Sequence, residues 1–152
     1  MAVRTLIDLH NTRLSIERIK RLSDRVVGLG PFGIGLDGLL GWIPGFGALY
    51  SVAAGAALIH QGVKARASSG VLLQALVLLG ANTASNFVPV AGGAMDMLFT
   101  AHKWSADLLL GQMDKTLYIE GDRASAAGSA EYAALMERVQ SGVERRRIVF
   151  LD

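Results

Sequence analysis

Along residues 1–29, Leu6, Leu9, Ile16, Ile19, Leu22, Val26 and Leu29 recur mostly at three- and four-residue steps, with Arg and Lys between them. That spacing predicts an amphipathic helix with a basic polar face. The pattern then stops at Gly28, Gly30, Pro31, Phe32, Gly33 and Gly35, a loop dense in breakers. Beyond it the polar positions almost vanish. No Asp, Glu, Lys or Arg occurs from Gly38 to Val63, nor from Ala67 to Met95, and only Lys64 and Arg66 interrupt. Each run exceeds the roughly 18 residues at which an uncharged stretch becomes a transmembrane candidate. Within them the pattern predicts a short helix over 36–42, a longer one over 48–63, the most hydrophobic helix over 71–87, and an amphipathic arm over 94–110. Gln61 to Gly70 is the polar joint, where Ser68 or Ser69 can cap the following helix.

These runs contain a duplication. A shift of 45 residues carries Asp37 onto Asn82, Ile43 onto Val88, Pro44 onto Pro89, Gly47 onto Gly92 and Ser51 onto Asp96. Both copies place a small polar side chain seven residues before a proline and a glycine three residues after it. Proline in an apolar helical run removes a backbone donor and breaks the helix, and glycine permits a tight reversal. Each copy therefore reads as helix, break, helix. At about 1.5 Å per residue the arms reach roughly 10 and 24 Å, short of a hydrocarbon core of about 30 Å. A hairpin or re-entrant arrangement fits those lengths better than a clean span.

The order Gly-Leu-Asp37-Gly-Leu-Leu-Gly-Trp-Ile-Pro44-Gly-Phe-Gly47, followed by Asn82, Val88-Pro89-Val-Ala-Gly92 and Asp96, resembles the bacterial family known as domain of unknown function 4112. The resemblance runs from about Arg18 to about Leu110. That family has an aspartate directly after each motif glycine, where this chain has Ala48 and Gly93. The resemblance implies a small helical, membrane-associated protein and brings no known activity.

Composition agrees with the patterning. Hydrophobic residues make up 51% and charged residues 18% of 152, against about a quarter charged in a typical soluble domain. Mean hydropathy is +0.38. The absence of cysteine excludes disulfides and thiolate chemistry. A net charge of +2 with no basic cluster interleaved with aromatics speaks against a nucleic-acid partner. The N-terminal helix is either a basic surface lying on anionic lipid or the solvated face of an ordinary packed helix.

Candidate chemistry is sparse. Gly28-Leu-Gly30-Pro-Phe-Gly33 formally matches a dinucleotide fingerprint, but a helical pattern precedes it, Pro31 interrupts it and no acid follows at the required distance. Asp37, His60, Asp96 and His102 are the ionisable residues available for a metal, yet no His-x-x-x-His or Glu-x-x-His pair sits on one helix. Asp37 and Asn82 read as caps or as partners for backbone freed by the prolines. No catalytic constellation, cofactor site or metal site follows. Gly47, Ser51 and Gly55 form a small-residue stripe for close helix packing.

The expectation is an all-α fold: an N-terminal amphipathic helix and loop (1–35), a duplicated apolar domain (36–110, copies 36–66 and 70–110), and a polar tail with one helix (111–152). Gly121 to Ala130 reads as a flexible joint, and Ile148 to Leu151 as a docked strand or a frayed end. The structural motif is Asp37, Pro44, Gly47, Asn82, Pro89, Gly92 and Asp96. The function expected is a non-enzymatic scaffold or small transport-related component. It would sit at the bacterial inner membrane with both termini cytoplasmic, and self-associate as a homo-oligomer. The alternative is a soluble helical module holding an apolar ligand or a partner helix.

Overall fold

The computed structural model describes residues 2–28, 46–85 and 94–152. The elements are α1 (Leu6–Gly28), α2 (Phe46–Lys64), α3 (Ser69–Ser85), α4 (Ala94–Asp114), β1 (Thr116–Glu120), α5 (Arg123–Ala127), α6 (Ala130–Gln140) and β2 (Arg147–Leu151). The chain is mostly helical, as the patterning predicts; Ile148 to Leu151 forms the docked strand of the two alternatives given for it, and its partner β1 is not predicted.

Local chemistry sets several boundaries. Thr5 begins α1, its Oγ1 accepting from the Asp8 N–H at 3.1 Å, the hydroxyl cap that satisfies an orphan donor. Glu120 contributes from a distance, its Oε1 accepting from the Leu6 N–H at 2.6 Å. Ser68 precedes α3 and accepts from Val71 N–H at 3.5 Å. Ser129 caps α6 by accepting from Tyr132 N–H at 3.1 Å.

Four helices form an up-and-down bundle, and its contacts fix their directions. The ion pairs Arg13–Asp114 and Lys20–Asp107 advance by seven in α1 and retreat by seven in α4, so these two run antiparallel. Gln112 donates to Ser68 and Ser105 to the Ala75 carbonyl, making α3 and α4 antiparallel in the same way. Gly55 lies against Leu79 and His102, and Gly62 against Leu72 and Leu109. Hence α2 is antiparallel to α3 and parallel to α4. α1 packs on α2 and α4, and α3 packs on the same two. The ends Gly28, Phe46, Ser85 and Ala94 therefore share one end of the bundle, and the Lys64–Ser68 turn, the C-terminus of α4 and the start of α1 share the other.

The core holds Ile16, Leu58, Ala65, Ala106, Leu109 and Met113, flanked by Leu9, Ile19, Val71 and Leu72. α1 does not present the stripe expected of it. Leu6 and Leu22 are largely exposed, whereas the small polar Thr12 and Ser23 are buried. Its inner face is Leu9, Thr12, Ile16, Ile19 and Ser23. The Ser23 hydroxyl satisfies itself on the Ile19 carbonyl, the back-bonding open to a helical serine. Arg13 and Lys20 spend their charge on Asp114 and Asp107 of α4, so the helix is a packed element with a solvated face.

The C-terminal region is more ordered than a tail with one helix. β1 and β2 pair in parallel with Thr116 opposite Arg147 and Glu120 opposite Leu151, and α5 and α6 lie between them. Gly121 to Ala130, expected to be a loose joint, contains α5, capped by Asp122 on the Ser125 N–H at 2.6 Å. Gly121 itself sits at φ +82° and its N–H bonds to the Leu151 carbonyl. Such a backbone suits glycine and penalises other residues.

Asp37, Pro44, Pro89 and Gly92 lie outside the described residues, so the predicted breaks and the short helix over 36–42 do too. Gly47, Asn82 and Asp96 fall within α2, α3 and α4 respectively.

Candidate functional site: an aliphatic seam opposite a charged one

In a bundle of this connectivity the α2–α3 seam lies diagonally opposite the α1–α4 seam, and the two differ in chemistry. The α1–α4 seam carries Arg13, Glu17, Lys20, Arg21, Asp107 and Asp114. Arg13 bridges Glu17 and Asp114. Its guanidinium is held above its ordinary value, chiefly by the hydrogen bond to Asp114.

The α2–α3 seam is aliphatic. Leu49, Val52 and Val63 on α2, and Leu73, Leu76 and Val77 on α3, each expose more than half of their surface. Together they present on the order of 500 Å², near the upper limit for a contiguous apolar patch on a monomer. Between the two helices runs a groove of about 570 Å³, lined by Val52, Gly55, Ala56, Ile59, His60, Val63, Leu76, Leu79 and Gly80. Gly80 opens onto empty space. The register of Gly55 with Leu79 and Gly62 with Leu72 sets His60 level with Gln74, both exposed, about one turn from the Lys64–Ser68 end. Beyond that level the described exposed residues of α2 and α3 are all apolar or glycine.

Glycine makes the seam possible. A Cβ at Gly62 would stand 2.7 Å from Leu109 Cδ2 and 2.9 Å from Leu72 Cδ2, so a side chain there would meet leucine methyls of both neighbouring helices. Gly55, seven residues earlier, is buried against Leu79 and the buried His102. Of the stripe Gly47, Ser51 and Gly55, only Gly55 has a described environment. The residue in tightest contact, Gly62, was not in that stripe, although its heptad spacing from Gly55 is a readable signal.

The polar end is assembled around the turn between α2 and α3. Arg66, at φ +52°, pairs with the Asp152 side chain and donates to its carbonyl at 2.7 Å. This contact holds the Asp152 carboxyl below its usual range. Arg147 donates to the Arg66 carbonyl at 2.7 Å. Tyr118 donates to the Ala65 carbonyl at 3.0 Å, and burial raises its phenol. Val3 N–H reaches the Lys64 carbonyl, and Val3, Val149 and Leu151 form a second small core. The sheet thus clamps the turn.

His60 and His102 do not converge. The first is exposed in the groove, and the second is buried beside Gly55, more than a turn away along α2. Among the described residues no three His, Cys, Asp or Glu gather as a metal site. Among them, too, no helix is long and apolar enough to cross a membrane.

A helical bundle with one aliphatic and one charged seam is thus the class this chain defines. It belongs to the family described as Domain of unknown function (DUF4112), whose model matches residues 13–113. The match runs from within α1 to the end of α4, takes in both proline motifs and stops before β1. No curated protein and no solved structure matches the chain.

Proposed function

We propose that this protein is a non-enzymatic, membrane-associated helical module that buries its α2–α3 hairpin in a bilayer from one side. The observation that carries the reading is the opposition of the two seams. From Phe46 to Ile59, α2 has no charged residue and extends roughly 20 Å, more than one leaflet of a core about 30 Å thick. The level of His60 and Gln74 would lie at the interface. Lys64, Arg66 and the sheet would remain among headgroups, where basic residues are favoured. The charged α1–α4 seam would face water or the protein's own polar surroundings.

The start of α1, the C-terminal sheet and the Lys64–Ser68 turn share one end of the bundle, so insertion by the opposite end keeps both termini and the turn on one side. The bias of basic residues assigns it to the cytoplasmic face of the bacterial inner membrane. Fractionation of the expressed protein tests the reading. It should stay with salt-washed membranes and leave them only in detergent. A sharp gel-filtration peak of detergent-free protein would overturn it, and favour a soluble module whose groove holds a partner helix or another apolar ligand. Periplasmic-side-only labelling of a Ser68→Cys variant would overturn the one-sided insertion.

A further inference from the structure

A different seam, between α3 and α4, carries an additional site. A cavity of about 760 Å³ lies there, within the range of small-molecule sites. Its walls are of two kinds. Val71, Leu78, Trp104 and Leu108 make an apolar slot along the two helices, and Lys115, Arg145 and Arg147 stand at the polar end. None of these three cations is in an ion pair with a described carboxylate. Arg145 donates to the Gly142 carbonyl and Arg147 to the Arg66 carbonyl, both neutral acceptors that leave the charge uncompensated. The one carboxylate in the lining, Asp107, pairs with Lys20 at 2.6 Å. Trp104, more than half exposed, flanks the slot about three turns of α4 from Lys115.

We infer that this cavity binds an anionic phospholipid, its phosphate at Lys115, Arg145 and Arg147 and part of one acyl chain in the slot of Val71, Leu78, Trp104 and Leu108. The charge complementarity selects the head, since three uncompensated cations at one mouth favour an anion over a zwitterion. The dry walls select the tail, since a free phosphate leaves them wet. The polarity of the slot also matches the proposed insertion, with the head at the end that carries the Lys64–Ser68 turn. The inference goes beyond membrane association, which rests on the α2–α3 seam alone.

Native mass spectrometry of the whole chain released from non-ionic detergent micelles tests it, with phosphatidylglycerol, phosphatidylcholine of the same chains, and inorganic phosphate as separate probes. The expected result is one phosphatidylglycerol adduct, at least tenfold favoured over phosphatidylcholine. Lys115→Gln with Arg145→Gln should abolish the preference, with Arg147 kept because it also holds the Arg66 carbonyl. Leu108→Trp, which fills the slot at constant charge, should remove the adduct as well. Equal adducts from both lipids, phosphate binding as strong as lipid binding, or an adduct unmoved by Leu108→Trp would each overturn the site. A melting curve for every variant establishes that it is folded. Flotation on phosphatidylcholine vesicles is expected to be unchanged in these variants, so loss of the site and loss of membrane association are separately visible.

Discussion

Replacing Gly62 by alanine puts the close approach of α2 to its neighbours to a direct test. The new Cβ would lie 2.7 Å from one methyl of Leu109 and 2.9 Å from one of Leu72, whereas ordinary contact begins near 3.5 Å. Two effects oppose each other. Alanine in a helix interior is favoured over glycine by about 0.5–1 kcal/mol. Inserting a methyl into a filled core costs about 1–3 kcal/mol. Leu109 is fully buried and cannot swing into solvent, so the second effect should win by about 1–2 kcal/mol. At about 2–4 °C per kcal/mol for a chain of this size, melting should fall by roughly 2–8 °C. Gly80→Ala, whose Cβ meets nothing within 4 Å, should instead gain roughly 1–4 °C. Melts followed by circular dichroism in one mild detergent compare the two. Adding Leu109→Val should recover part of the Gly62→Ala loss, a non-additivity expected only of groups in contact. If Gly62→Ala melts at or above the parent, α2 is not held where the geometry puts it.

Further predictions concern the polar end. Tyr118→Phe removes the bond to the Ala65 carbonyl and should cost about 0.5–1.5 kcal/mol in denaturant titration. The Glu144 carboxyl is drawn from 4.5 to about 2, first by the Arg146 side chain and then by its N–H. Its folded value is depressed, so its contribution is complete above about pH 4.5 and fades as pH falls towards 2. The stability gap between the parent and Glu144→Gln should therefore be constant at neutral pH and close across that window. A gap that does not change with pH would remove the linkage. Gly121→Ala, at φ +82°, should lose about 1–2 kcal/mol, while Gly128→Ala, with open space and ordinary backbone, should lose none in the same melts.

Uncharged apolar runs and their breakers foretell α2, α3 and α4 to within a few residues, and Ser68 and Ser129 mark helix starts because a hydroxyl cap is a local interaction. What was illegible depends on residues far apart in the chain. Ile148 to Leu151 is legible as a docked strand or a frayed end, but β1, five residues long, is not, because it acquires its place only by pairing with β2 across two intervening helices. Thr12 and Ser23 escape a hydrophobic-periodicity reading because small polar residues are buried there between apolar ones. Among the described helical glycines Gly62 is set apart by Leu72 and Leu109, which sequence does not place. The aliphatic seam was visible as the absence of charge, but its opposition to the Arg13, Lys20, Asp107 and Asp114 seam required the helix directions. The cations Lys115, Arg145 and Arg147 carry no signal in the sequence, because they converge only when β2 returns to the end of α4.

The central claim is that the α2–α3 seam faces lipid, and vesicle flotation of a surface variant measures this most directly. Val52→Asn, Leu73→Asn and Val77→Asn together change three exposed side chains that support no described core contact. The variant should therefore fold as the parent does in detergent. On phosphatidylcholine vesicles the parent should float with the lipid and the variant should stay with the soluble fraction, while Arg21→Gln on the opposite seam changes nothing. A variant that floats as fully as the parent would contradict the assignment of this seam to the bilayer.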